Sequence, residues 1–226
     1  MLKLEKVYCK TIDKIQKLKL EMPQIAELIE LLESSGNVII FGGAIRDFVL
    51  DRQPRDYDFV IDTKNSISDY LRNYNYIKNS FDGYKVLLSE ARLDIWALKD
   101  TWAFKKGIIT QDISNLTKTV FFNADAVAVN ITTGQVFESG FVEAFESKVL
   151  NIILAENPLP ELCVLRAFAF NKNYSFEYSH ELFEYITNWI SRTEAPLQVL
   201  LKVQKTHYNR TLFTENDIME LINRFT

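Results

Sequence analysis

The chain has 226 residues, 47% of them hydrophobic, and a formal net charge of −4, so it can build a sizeable core and is not a disordered polar segment. The negative balance excludes nucleic-acid binding through a global basic field; such a partner would need a local basic patch. No apolar run approaches the roughly 20 residues of a membrane span, the charged start MLKLEKVYCK lacks the apolar stretch of a signal peptide, and Cys9 and Cys163 form no paired motif, so a cytoplasmic chain with two core thiols is expected.

Residues 11–35 read as helical, with Pro23 in the first turn of a second helix and Ile25, Leu28, Ile29 and Leu32 on one face. ESSG is expected to end that helix at Gly36. NVIIF (37–41) is a β-branched run of strand length, and GAIRDFVL (43–50) has Ile45, Phe48 and Val49 at helical spacing. DRQPR is a turn, with Gln53 biased to extended geometry by Pro54. DYDFVID (56–62) alternates polar and apolar, which predicts a strand with one buried face. SISDYLRNY predicts a short helix, and YKVLLSE and RLDIWAL predict a hairpin. TVFFNADAVAVNITTGQVFE reads as mixed helix and strand with a turn at TTGQ. Beyond about residue 155 four helices are expected, in ELCVLRAFAF, SHELFEYITNWI, PLQVLLKVQKTHY and ENDIMELINRF.

The chemistry-bearing residues concentrate in residues 38–62. On one strand, Asp56 and Asp58 project to the same face with Cα atoms about 6.5–7 Å apart. Two such carboxylates repel unless they are solvated or a divalent cation sits between them. Asp94, enclosed by Leu93 and Ile95, is a third acid in a buried-looking strand, costly unless paired or metal-bound. Gly42 and Gly43, between a strand and a helix, let backbone amides approach an anion, and Arg46 in the next turn can reach the same phosphate. Each feature alone has a plain structural explanation: a tight turn, a solvated strand, a salt-bridged acid. Their order and spacing together favour a metal-dependent phosphate site.

This combination resembles the nucleotidyltransferase superfamily typified by DNA polymerase beta. Within it, GGAIRDFVLDRQPRDYDFV is similar to the head domain of the poly(A) polymerase and class II tRNA nucleotidyltransferase (CCA-adding) family. The likeness continues through NADAVAVNITTGQVFESGFVEAF and ENPLPELCVLRAFAFNKNYSF, covering about residues 35–180. It implies an α+β fold: a small mixed sheet flanked by helices as head over residues 1–150, then a helical neck-like region over 151–226. It implies Mg²⁺ or Mn²⁺ on Asp56, Asp58 and Asp94, and a nucleoside triphosphate such as ATP held by Gly42, Gly43, Arg46, Asp47, Lys118, Asn123 and Asn157. The acceptor would be a hydroxyl such as an RNA 3′ end; the alternatives are a protein or small-molecule acceptor, or a non-catalytic nucleotide-binding module. The family has Gly where Asp51 stands. Its Arg-Arg-Asp, whose acid reads the ribose 2′-hydroxyl, is Thr117, Lys118 and Thr119 here. Its base-reading Glu-Asp-x-x-Arg becomes Glu156, Asn157 and, for the arginine, Pro160, while Arg166 matches a later neck arginine. The concentrated basic stretch, with Lys202, Lys205, His207 and Arg210, is either an RNA phosphate contact or a solvated helix face.

Overall fold

The computed structural model describes residues 2–88 and 91–226. Two compact units emerge: one runs to Val120 and includes Ala124–Val142, the other takes Phe121–Asn123 and Glu143–Thr226. The helical pattern of the sequence takes over near residue 150, whereas the compact units part at Val142.

The first unit opens with helices α1 (Leu4–Glu21) and α2 (Pro23–Glu33), Pro23 occupying the first position of α2. Next come strand β1 (Asn37–Phe41), helix α3 (Gly43–Val49) and strand β2 (Tyr57–Asp62). Strands β3 (Tyr76–Lys78), β4 (Tyr84–Leu87) and β5 (Arg92–Ala97) follow, then short helix α4 (Trp102–Lys105), strands β6 (Val127–Asn130) and β7 (Val136–Glu138), and helix α5 (Phe141–Ser147), which passes into the second unit. Among the described residues these strands form a seven-stranded sheet in the order β3-β4-β5-β2-β1-β6-β7. Only β2 and β5 pair in parallel, so the sheet is mixed and the fold is α+β as expected.

Alternation along the strands assigns the two faces. Val38, Ile40, Phe59 and Ile61 share one face with Tyr57, whose ring lies 6.2 Å from Phe48 of α3. The buried stripe Ile25, Leu28, Ile29 and Leu32 belongs to α2, which packs on β1. Ile39, Phe41 and Val60 share the other face and cluster with Leu98, Phe104 and Leu116, delivered by the segment after β5. Residues 59–61 are therefore buried on both faces. The expected one-sided strand is corrected: β2 is central, and a central strand is covered twice.

Three local expectations also change. The 66–74 segment forms only a 3₁₀ turn, Ile67–Asp69. Strand β3 is formed by residues whose short pattern gave no signal. Gly36 does not end α2 in a left-handed conformation; it is needed because a methyl group there would sit 2.1 Å from the Asp62 carbonyl oxygen. Since that neighbour is backbone and cannot rotate away, Gly36→Ala is expected to destabilise the protein by about 3 kcal/mol. Denaturant melts of the two proteins check this. By contrast, Asp51 adopts the left-handed conformation (φ 56°) at the turn after α3, and Lys10 of α1 bonds its carboxylate at 2.5 Å. The hairpin of β4 and β5 forms with Lys85 opposite Asp94, although Ser89 and Glu90, the end of the expected strand YKVLLSE, lie outside the described residues. The TTGQ turn is present, with Gly134 at φ 81°.

The second unit contains strand β8 (Val149–Leu150), helix α6 (Pro160–Tyr174), strand β9 (Glu177–Tyr178), and helices α7 (His180–Arg192), α8 (Pro196–Tyr208) and α9 (Glu215–Asn223). The four expected helices are all present. Each start has a local cause: Pro at the first turn of α6 and α8, a Ser179 cap on α7, and a Thr214–Asp217 capping box on α9. α6 is buried along most of its length, including Cys163, whose thiol burial pushes up to about 12; Cys9 is exposed, so only one of the two thiols belongs to a core. Among the described residues no helix is long and apolar enough to cross a membrane.

Candidate active site

The sheet register sets two of the three acids side by side. Asp58 stands opposite Phe41 on one side and Asp94 on the other. Register partners on neighbouring strands project to the same face, so Asp58 and Asp94 are side by side, while Asp56 lies in the bend just ahead of β2, where its charge reaches Asp94. Farther along this face Val60 and Trp96 join the apolar cluster. One face thus passes from a covered apolar end to an acidic open end. Because Phe41 faces Asp58, the Gly42–Gly43 turn leaves β1 beside the acids.

The acids are held unequally. Asp56 accepts a 2.6 Å hydrogen bond from Arg55 Nε on Oδ2, while its Oδ1 is buried with no hydrogen-bond partner. A buried carboxylate oxygen left so is costly and is a natural cation ligand. Asp94 lies 3.6 Å from Lys85 Nζ. Burial raises its carboxyl above the ordinary value, the Lys85 ammonium opposes that shift, and the charge of Asp56 adds to it. Among the described residues no three His, Cys, Asp or Glu side chains are gathered closely enough to hold a metal ion in this arrangement.

Gly42 has φ 68° and ψ −127°, a conformation open essentially to glycine. Its N–H donates to Val127 at 2.9 Å, and its carbonyl accepts from Ile45 and Arg46. Arg46 lies against Gly43: a Cβ there would meet the guanidinium at 3.3 Å. The guanidinium forks onto Asp47 at 3.1 and 3.2 Å and also donates to Asp125. Asp125 is only 4% exposed. The sequence pattern missed this partner; the signal was an acid inside the otherwise apolar run NADAVAV. Arg46, expected to face phosphate, is thus braced between two carboxylates.

The remaining expected residues are scattered. Lys118 is exposed and bonds Asn115 at 3.0 Å. The Thr119 hydroxyl donates to the Leu116 carbonyl, and Thr117 pairs with Ser139. Asn123 belongs to the second unit and is committed there: its amide donates to Val149 and accepts from the Asn151 N–H. Asn157 accepts the Leu159 N–H in a local turn, and Pro160 begins α6. Arg166 stacks over the Phe122 ring, 5.9 Å from its centroid. Lys202, Lys205 and Arg210 are exposed at the end of α8 and beyond; Lys205 and Arg210 line a groove with Asn209 and Phe213.

Comparison with known proteins adds three findings. No curated protein sequence matches the chain. The fold is similar to a CCA-adding enzyme solved with ATP (20% identity, TM-score 0.64, covering 93% of this chain and 54% of that one). It is also similar to one solved with CTP (19%, 0.66, 93% and 54%) and to the Thermotoga maritima CCA-adding enzyme complexed with tRNA (19%, 0.64, 93% and 53%). The chain spans about half the length of these enzymes. Residues 38–138, which carry the glycine turn and all three acids, match the poly A polymerase head domain, and over this segment the chain is similar to that family.

Proposed function

We propose that the protein is a metal-dependent nucleotidyltransferase that moves a nucleoside monophosphate from a triphosphate to an acceptor hydroxyl, the 3′ end of an RNA. The observation that carries this is the register of Asp58 with Asp94, with the Asp56 charge acting on Asp94 from just ahead of β2 and the glycine turn beside them. The donor set fits a hard divalent cation: all its atoms are carboxylate oxygens, and Asp56 offers one buried oxygen without a partner. Asp56, Asp58 and Asp94 would hold Mg²⁺ or Mn²⁺, which when bound neutralises charge on the triphosphate and the attacking oxygen. The head of residues 1–150 and the helical neck of 151–226 belong to the same proposal.

The acceptor oxygen attacks the α-phosphorus, a new P–O bond forms, the α–β bridging bond breaks, and pyrophosphate leaves. Asp94 receives the hydroxyl proton; burial, which makes its carboxyl more basic, suits that task. Gly43 gives the backbone close access to the triphosphate. Asp47 and Asp125 fix Arg46, so that the guanidinium orders the turn as well as facing phosphate. Asn157 and Lys118 supply nucleotide contacts, and Asn123 acts by holding the 149–151 backbone. Lys202, Lys205 and Arg210 are cations on which an RNA acceptor can lie. Incubation with each labelled triphosphate, Mg²⁺ or Mn²⁺, and total cellular RNA and protein tests this: label should enter RNA. Label in protein or a small molecule identifies a different acceptor, and no label with any triphosphate leaves only nucleotide binding.

Two results are expected within this scheme. Asp94→Asn should slow turnover by about 10²-fold, the typical contribution of a proton acceptor, while triphosphate affinity changes far less. A sharp loss of binding with normal turnover at saturation would contradict the role given to Asp94. Selectivity should also be weak: Thr119 spends its hydroxyl on Leu116, and Pro160 has no donor. The four ribonucleotides and their deoxy forms should therefore fall within about 10²-fold of one another in kcat/KM, the range that packing contacts alone give. Strict choice of one base would place the base-reading elsewhere.

A further inference from the structure

Outward from Asp94, the acidic face continues across two more strands. Asp94 is opposite Lys85 on β4, and Lys85 is opposite Ile77 on β3. Two residues along, Leu87 is opposite Arg92. All four side chains share the face of Asp58 and Asp94, because register partners and every second residue project together. The same strands bury Val86, Leu93 and Ile95 completely on the opposite face. On the acidic face, Ile77 is 60% and Leu87 42% exposed, and both are large apolar residues on β3 and β4. Core packing explains Val86 but not Leu87.

We propose that this strip, Lys85, Arg92, Leu87 and Ile77, is the landing surface for the single-stranded 3′ end of an RNA acceptor. The inference rests on the nucleotidyl-transfer function proposed above and specifies where its acceptor lies. Three acids at the open end of the face repel a polyanion. Lys85 and Arg92 stand between them and the sheet edge and provide the compensating positive charge. Strand spacing puts Ile77 about 10 Å from Asp94, two strands away. Apolar side chains alternating with cations suit a chain that alternates base faces and phosphates. An acidic peptide would use the two cations, but its charges are not each accompanied by a flat apolar group for Ile77 and Leu87, as every phosphate of a nucleotide chain is. With a cation on the acids, Lys85, 3.6 Å from Asp94, would be released to meet a backbone phosphate.

Binding of a short labelled single-stranded RNA across a salt series tests the proposal without relying on activity. For single strands the slope of log K against log salt changes by about 0.7 for each phosphate contact removed. Lys85→Met and Arg92→Met should each flatten the slope by that amount. Ile77→Ser with Leu87→Ser should weaken binding about tenfold by removing apolar contact with the bases, and leave the slope unchanged. Lys85 and Arg92 are solvent-accessible, and melts confirm that the variants fold. The proposal is overturned if neither charge variant alters the slope, if the whole slope resides in Lys202→Met, Lys205→Met and Arg210→Met, if the wild type binds no RNA, or if an acidic peptide binds the strip in preference to RNA. Normal labelling of RNA with an unchanged slope rejects the surface alone. A flattened slope without any nucleotidyl transfer supports the surface and rejects the transferase function.

Discussion

Asp56→Asn and Asp58→Asn are each expected to abolish nucleotidyl transfer without unfolding the protein. The substitutions keep side-chain size and remove one charge from a site where Asp58 and Asp94 are register partners and the charge of Asp56 reaches Asp94. Metal stabilisation of phosphoryl-transfer charge amounts to several kcal/mol. Losing about 4 kcal/mol of it corresponds to about 10³-fold in rate. Stability should hold or rise slightly, because the register places Asp58 beside Asp94 and the charge of Asp56 already raises the Asp94 carboxyl. Single-turnover kinetics in Mg²⁺, with thermal melts alongside, measure both quantities. Either variant keeping most of its activity in Mg²⁺ would remove the metal from the proposed mechanism.

The second large effect falls on stability. Arg46→Met should destabilise the protein by about 3–5 kcal/mol, the cost of breaking a buried ion pair by deleting one partner. Arg46 is 13% exposed at its side chain, Asp47 12% and Asp125 6%, so deleting the guanidinium removes a cation bonded to two acids largely away from water. Adding Asp125→Leu to Arg46→Met should recover much of the loss, since it removes a largely buried acid that the guanidinium had bonded. Urea melts of the single and double variants make the comparison. Additive losses would mean that the two residues do not act as a pair. Because the effect appears in the melt without any nucleotide, it separates the bracing role of Arg46 from a phosphate contact.

Several elements follow from local rules that act within a few residues. Pro at a first helical turn, Ser179 and Thr214 as caps, and the β-branched run 37–41 place helices and strands irrespective of their neighbours. Asp51 in its left-handed turn is of the same kind, since a short polar side chain tolerates that conformation. The segment 66–74 failed because nine residues of mixed pattern do not secure a helix, and β3 failed because three exposed residues show no period.

By itself the sequence picked out the candidate residues, the acids at 56, 58 and 94 and the glycine pair, and the class of fold around them. Their spacing is a local property, and a strand's two-residue period fixes which side chains share a face once the strand exists. Only the tertiary structure decided which strands are neighbours. Long-range pairing set Asp58 against Asp94, made β2 central and covered on both sides, and brought Asp125, 79 residues away, onto Arg46. It also gave Gly36 its reason, a carbonyl from β2 at a distance no side chain tolerates. These contacts depend on register and close packing between segments far apart in the chain, and no window of neighbouring residues carries that information.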